Sequence, residues 1–358
     1  MSHFDENNTI IGEFYMQRAI KLASQGLGHT YPNPLVGSVI VCDDQIIGEG
    51  YHCKAGEPHA EVNAIRSVKD KLLLKKSTLY VNLEPCAHYG KTPPCSKLII
   101  EMEVPKVVIG CVDSFSEVAG KGIEMMRAAG IDVEVSVLEK ESRWLNRRFF
   151  TFHEKKRPYV ILKWAQSADG FIDLPRNEEE APRIKWITND FARREVHKQR
   201  THEQAILIGT NTALIDNPSL TVRDFYGHQP LRVVLDQRGR LPASLKLFDG
   251  SCPTLVFSAK SSTGTKNLEV VSVDFDDNLI PTILTHLAKR GLQSLIVEGG
   301  AELLQSFINA GFWDEAYVYS GAINFKNGVK APVLDGLNIS TSFFDDSSCA
   351  IYINKLLY

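Results

Sequence analysis

Short apolar runs alternate with helical patterns along nearly the whole chain, and that alternation constrains the fold most strongly. Asn8 to Ser24 predicts an amphipathic helix with Ile11, Phe14, Tyr15, Ala19 and Leu22 on one stripe. Two short strands follow, Val36 to Cys42 and Gln45 to Gly50, around the turn pair Asp43-Asp44. A helix over Pro58 to Lys69, with Pro58 suited to its first turn, leads to a strand at Thr78 to Leu83. Cys95 to Glu103 reads as a helix, Lys106 to Cys111 as a strand, Gly122 to Ala129 as a helix and Asp132 to Val137 as a strand. Several helices laid over one sheet predict a three-layer α/β domain.

A second α/β block opens with a strand at Tyr159 to Trp164. Further strands are expected at Ala205 to Gly209, Arg232 to Asp236, Thr254 to Ser258, Ser294 to Glu298 and Glu315 to Tyr319, with helices at Asn189 to Gln199 and Ala301 to Ala310. Between the blocks, Ser142 to Pro158 is basic and aromatic without alternation and reads as a last helix and a solvated linker. The boundary is expected around Thr151 to Arg157, dividing the chain into domains 1–150 and 151–358. Asp173 to Arg183, acidic and proline-flanked, is expected to be an exposed loop.

Charge narrows the partners. The 358 residues carry a net charge of −3, and the halves on either side of His153 carry −2 and −1. Neither half is a basic module, so no nucleic-acid partner is expected. No apolar run approaches the roughly 18 residues of a membrane span, and the polar, acidic opening MSHFDENNTI does not read as a leader, so the expectation is a cytoplasmic protein without a membrane partner. Seven cysteines in such a chain argue against a disulfide framework.

The chemistry concentrates at His59-Ala60-Glu61, Pro85-Cys86 and Pro94-Cys95. One imidazole and two thiolates are good zinc ligands and leave a fourth position open, the mark of a catalytic site. Glu61, two residues from His59, can reach that open side and shuttle protons. The set matches the His-x-Glu…Pro-Cys signature of zinc nucleobase deaminases, with eight residues between the cysteines in place of the usual two.

The segments PNPLVGSVIV, GEGYH…AGEPHAE and LEPCAHYGKTPPC together resemble the bifunctional deaminase–reductase family of riboflavin biosynthesis. The resemblance continues through LKWAQSADG, the WIT at Trp186, DNPSLTVR and VEGGAELLQSF, covering nearly the whole chain. It implies a cytidine-deaminase-like three-layer α/β/α N-terminal domain and a dihydrofolate-reductase-like C-terminal domain. The first would hydrolyse the 2-amino group of 2,5-diamino-6-(5-phosphoribosylamino)pyrimidin-4(3H)-one. The second would reduce the ribosyl group to ribityl with NADPH, giving 5-amino-6-(5-phosphoribitylamino)uracil. Homo-oligomerisation, as a dimer or tetramer, is implied by the same resemblance. A nucleic-acid base deaminase would call for a basic face and the shorter cysteine spacing, and neither is present.

Carried onto this chain, the resemblance makes His59, Cys86 and Cys95 zinc ligands and Glu61 the acid/base. Asn33, His52, His88 and Lys91 become substrate contacts of the deaminase. In the reductase, Lys163 and Glu298 are the catalytic candidates, and Arg200, Leu220, Arg223 and Glu298 the substrate contacts. Two arginines suit a phosphate through bidentate bonds. The cofactor would lie along Ala165, Trp186, Thr212, Asp216, Gln237 and the run Gly300, Ala301, Glu302, Leu303, Leu304, Gln305 and Ser306, with Arg238 near its 2′-phosphate. No Gly-x-Gly-x-x-Gly follows a strand, but Gly299-Gly300 between a strand and a helix lets backbone N–H groups approach a pyrophosphate. One position departs from the family: Ile184 stands where a small polar substrate contact is expected.

Overall fold

The computed structural model describes residues 2–88, 93–114, 119–175, 186–261 and 263–356, with side chains from residue 10 onward. The chain divides into two compact units, 1–155 and 156–358, and the helix Arg147–Lys155 runs through the expected boundary at Thr151. Among the described residues, no helix is long and apolar enough to cross a membrane.

The first unit holds strands β1 (Gly37–Cys42), β2 (Gln45–Tyr51), β3 (Thr78–Leu83), β4 (Lys106–Cys111) and β5 (Asp132–Val135), in the spatial order β2-β1-β3-β4-β5. β1 runs antiparallel to both β2 and β3, while β3, β4 and β5 are parallel. Alternation across the sheet builds both outer layers. Ile40, Leu79, Val81, Val107 and Ile109 face a core shared with Ala64 and Ile65, Ile99, and Ile123 and Met126, from three different helices. Val39, Val41, Tyr80 and Val108 face the opposite way, onto Tyr15, Met16, Ala19 and Leu22 of the helix Ser2–Ala23. The three-layer expectation is met. The expected stripe is corrected at two positions, because Ile11 and Phe14 are exposed and Met16 is buried in their stead.

Close backbone approach seats the helix that carries the metal-ligand motif. A Cβ on Gly50 would lie 2.4 Å from the Ala64 nitrogen, and one on Gly48 would lie 2.6 Å from the Ala64 carbonyl oxygen. Only glycine at both positions lets the helix Ala60–Ser67 rest directly on β2.

The second unit is built on a nine-stranded sheet. Its strands are β6 (Tyr159–Gln166), β8 (Ala205–Ile208), β9 (Leu231–Leu235), β10 (Thr254–Ser258), β11 (Leu268–Ser272), β12 (Ser294–Gly299), β13 (Glu315–Gly321), β15 (Gly336–Phe344) and β16 (Ser347–Asn354). The order is β11-β10-β9-β8-β12-β6-β13-β16-β15, parallel from β11 to β13, with β16 and β15 added antiparallel. β7 (Phe171–Asp173) and β14 (Val329–Lys330) form a separate two-stranded ribbon. The buried pair Arg157–Asp314, at 2.6 and 2.8 Å, ties the entry to β6 to that of β13. The helix Leu279–Lys289 and the hairpin β15–β16 are additions to the elements expected from sequence. The acidic loop begins at the end of β7, but residues 176–185, Ile184 among them, lie outside the described residues.

Candidate functional site

Two helix starts and one strand end build the first site. His59 caps the helix Ala60–Ser67 and Cys95 begins the helix Cys95–Glu101, while Cys86 lies three residues beyond β3. The three donor atoms lie within 4.8 Å of one another. His59 Nδ1 is 3.6 Å from Cys86 Sγ and 3.4 Å from Cys95 Sγ. Hydrogen bonding from Cys95, its backbone N–H included, and from His59 holds the Cys86 thiol down to about 4, against the opposing effect of burial. A thiolate beside a second thiol and an imidazole is the donor chemistry zinc selects. The residues fit that ion.

Glu61 is only 3 % exposed, and its Oε2 is buried without a hydrogen-bond partner. Burial, reinforced by Cys86, pushes its carboxyl up to about 7. A buried carboxyl near neutrality can both take and return a proton.

Asparagines lock His52 and the turn that bears Asn33. His52 Nδ1 lies 3.2 Å from the Pro58 carbonyl and its Nε2 3.0 Å from Asn33 Nδ2. Nδ1–H therefore donates to Pro58 while Nε2 accepts from Asn33, and burial keeps the ring neutral. The turn bearing Asn33 is clamped at Leu35. Asn146 Oδ1 accepts its N–H at 2.7 Å, and its carbonyl accepts from Asn146 at 2.9 Å and Asn82 at 3.0 Å. His88 is exposed, and Lys91 lies outside the described residues.

Sequence reasoning missed Glu84, which anchors the cysteine loop. Its carboxylate, 4 % exposed, accepts the N–H groups of Asp113, Gly120, Gly122 and Ile123 at 2.9–3.3 Å, so it caps the helix Lys121–Ala128. The available signal was an acid set directly before Pro85-Cys86.

The second site lies at the carboxyl ends of the parallel strands, where open α/β sheets place ligands. Lys163 and Ala165 come from β6, Glu298 and Gly299 from β12, Thr212 and Asp216 from the helix after β8, and Gln237 from beyond β9. Lys163 Nζ stands 4.0 Å from Glu298 Oε2. Arg200 meets the same carboxylate in parallel, Nε to Oε1 at 3.1 Å and Nη2 to Oε2 at 2.8 Å. Burial would raise the Glu298 carboxyl, but Arg200 and then Lys163 reverse this and hold it at about 2. Burial likewise lowers the Lys163 ammonium, which Glu298 opposes. The ion cluster sits behind a glycine pair. Gly299 has φ +127°, and a Cβ on Gly300 would lie 3.3 Å from Thr212 Oγ1.

The other expected contacts are placed as follows. Gly300 precedes the helix Ala301–Asn309, with Glu302 and Gln305 on it; Leu304 is fully buried in the core, Leu303 packs against that core, and Ser306 Oγ donates to the Glu302 carbonyl. Leu220 is buried with φ +51°, whereas Arg223, Gln237 and Arg238 are exposed. Trp186 is exposed and lies under the Arg193 guanidinium, 4.5 Å from its ring centre.

A three-layer unit with a His–Cys–Cys donor set and a buried carboxylate beside it is a zinc-type deaminase, here carried in one chain with a second, parallel-sheet unit. Comparison with known proteins agrees for both halves. Residues 11–111 match the cytidine and deoxycytidylate deaminase zinc-binding region, and residues 158–347 match the RibD C-terminal domain. The chain is 42 % identical over 331 residues to the riboflavin biosynthesis protein RibD of Bacillus amyloliquefaciens, covering 90 % of this chain and 87 % of that one. It is 40 % identical to the protein of that name from Aquifex aeolicus, with 86 % of each covered. A crystal structure from Thermotoga maritima, a diaminohydroxyphosphoribosylaminopyrimidine deaminase/5-amino-6-(5-phosphoribosylamino)uracil reductase, superposes with a TM-score of 0.87 at 37 % identity, covering 97 % of this chain and 99 % of that one. The chain belongs to the RibD family: it is a bifunctional deaminase and reductase of riboflavin biosynthesis.

Proposed function

We propose that the two activities act in succession on one small phosphorylated pyrimidine. Water first replaces the 2-amino group of 2,5-diamino-6-(5-phosphoribosylamino)pyrimidin-4(3H)-one. The ribosyl group of the product is then reduced to ribityl, giving 5-amino-6-(5-phosphoribitylamino)uracil. The first step belongs to 1–150 and the second to 151–358.

His59, Cys86 and Cys95 hold zinc, which supplies Lewis-acid activation of water near neutral pH. Glu61 moves two protons in turn through its unpartnered Oε2, the first from the attacking water to the ring nitrogen and the second from the added hydroxyl to the departing amine. His52, neutral and fixed between Pro58 and Asn33, orients Asn33 so that its Oδ1 faces the pyrimidine. His88 and Lys91 complete the substrate contacts.

In the reductase, NADPH supplies the hydride. Ala165, Trp186, Thr212, Asp216, Gln237 and the run 300–306 line it, with Arg238 toward the 2′-phosphate. Lys163 and the ionised Glu298 hold and orient the sugar, Lys163 as proton donor at the opening ribosyl oxygen. Leu220 packs against the substrate and Arg223 takes its phosphate. The same reading makes the protein a cytoplasmic homo-oligomer with no nucleic-acid or membrane partner, in keeping with its near-balanced charge.

The observation that carries this reading is the buried Glu61 carboxylate, its Oε2 without a hydrogen-bond partner, beside three converging zinc donors. Incubation with the diaminopyrimidine tests it, with products identified by mass. Without NADPH the product should have exchanged an amino for an oxo group and stopped there. With NADPH it should gain a further pair of hydrogens. Reduction preceding deamination would reverse the order, and an unchanged substrate would refute the assignment.

A further inference from the structure

The loop that carries Leu220 and Arg223 has no strand or helix of its own, and side chains from neighbouring elements and from its own far end grip its backbone. Arg232, buried to 1 % exposure, donates to the Ser219 carbonyl at 3.5 Å. Arg200 Nη1 donates to the Thr221 carbonyl at 3.0 Å. Gln229 accepts the Val222 N–H at 2.7 Å and donates to the Val222 carbonyl at 3.1 Å. The last grip is His197, whose Nδ1 accepts the N–H of Arg223 at 3.3 Å.

His197 lies on the helix Asp190–His202, one turn before Arg200, and is 5 % exposed. A neutral ring that accepts at Nδ1 carries its hydrogen on Nε2. Nε2 has two neighbours, Asp224 Oδ2 at 3.4 Å and Arg223 Nη2 at 3.5 Å. Only the carboxylate can accept that hydrogen, so the ring bridges the Arg223 backbone to the Asp224 side chain. Burial, and then Arg200 and Arg223, hold the imidazole down to about 4, which preserves Nδ1 as an acceptor at neutral pH. The Arg223 guanidinium donates to Ser219 Oγ across the same loop.

Resting on the reading of Arg223 as the phosphate contact, we infer that His197 is a positioning residue that aims the Arg223 guanidinium at the phosphate of the reductase substrate. A guanidinium binds phosphate through paired, directional bonds, so its value depends on where its backbone is held. The uncharged ring contributes an acceptor in the right place and no charge of its own.

The test uses the full chain, with steady-state reductase kinetics on the deaminated substrate and on its dephosphorylated counterpart. His197→Asn keeps an acceptor near the Nδ1 position, and His197→Gln moves it to the Nε2 position. His197→Gln should raise KM for the phosphorylated substrate about tenfold, the size expected for one lost hydrogen bond to a well-placed group. Its KM for the dephosphorylated substrate and for NADPH should not move, nor should kcat. His197→Asn should recover most of the loss. Arg223→Ala is the reference and should erase the preference for the phosphorylated substrate. If Arg223→Ala erases it and His197→Gln leaves it intact, the inference about His197 is overturned while the Arg223 reading stands. Equal losses on both substrates, or equal losses in the Asn and Gln variants, also overturn it. An Arg223→Ala protein that keeps the preference would remove the reading itself, and the inference with it.

Discussion

Arg200 and Glu298, 98 positions apart, face each other through two parallel hydrogen bonds, Nε to Oε1 at 3.1 Å and Nη2 to Oε2 at 2.8 Å. The family resemblance suits Arg200 to the substrate phosphate, but the bidentate face of its guanidinium is turned to this carboxylate, and Nη1 to the Thr221 carbonyl. The pair keeps Glu298 ionised and fixed in front of Lys163.

Arg200→Met should therefore act through Glu298. Loss of both bonds frees the carboxylate to move, and a displacement of about 1 Å costs on the order of 10²-fold in rate. The carboxyl, held at about 2 in the parent by Arg200 and Lys163, should rise toward the ordinary glutamate range. The proposed role of Glu298 calls for the ionised form, so the acid limb of kcat/KM should move to higher pH in the variant. A pH–rate profile superimposable on the parent's would sink this role for Arg200.

The zinc donors make a sharper case. Cys86→Ser and Cys95→Ser each remove one of three converging ligands, and a neutral hydroxyl replaces neither as a thiolate does. Both variants should lose zinc and deaminase activity together while the reductase continues. Metal analysis of the purified proteins checks it, and full zinc occupancy in both variants would exclude this donor set.

Where local pattern decides, the sequence was legible. The expected strands at Thr78–Leu83, Lys106–Cys111 and Thr254–Ser258 match the structure to the residue, because each is an apolar run bounded by polar or breaking residues. The metal donors were legible because few residue types bind zinc. Ile11 and Phe14 misled because the first helix offers two adjacent stripes, and contact with β1 and β3 selected the one through Met16. The hairpin β15–β16 is rich in Ser, Asn and Asp and reads as loop; pairing with β13, which no local pattern carries, makes it sheet. Contacts such as Arg200 with Glu298, or Glu84 with Gly122, join residues that only the fold brings together.

Glu84 is the second structural anchor whose removal should register at a distance. Glu84→Gln replaces one acceptor oxygen by an amide that can only donate, facing N–H groups at a helix start. Leaving such buried groups unsatisfied costs about 1–3 kcal/mol. Because a Cβ on Gly122 would already lie 2.2 Å from the Pro85 carbonyl, that helix end rests directly against the Cys86 loop. The variant should melt earlier and surrender zinc to a chelator faster than the parent. Unchanged melting together with unchanged zinc release would show that the loop is held by other means.

Glu61→Gln separates the two chemistries. The substitution preserves the size of the side chain and all three donors, but an amide cannot take and return a proton. General acid–base help is typically worth about 10²–10⁴ in rate, and in the proposed reaction Glu61 serves both the attack of water and the departure of the amine. The loss of deaminase activity should lie at the top of that range or beyond, with zinc content unchanged. Lys163, Glu298 and Arg200 all belong to the other compact unit. Supplied with the deaminated intermediate and NADPH, the Glu61→Gln protein should oxidise NADPH at the parental rate. Lys163→Ala should do the reverse, deaminating normally and accumulating the unreduced product. A folded, zinc-loaded Glu61→Gln protein that had lost both activities would rule out independent sites and require one obligatorily coupled centre.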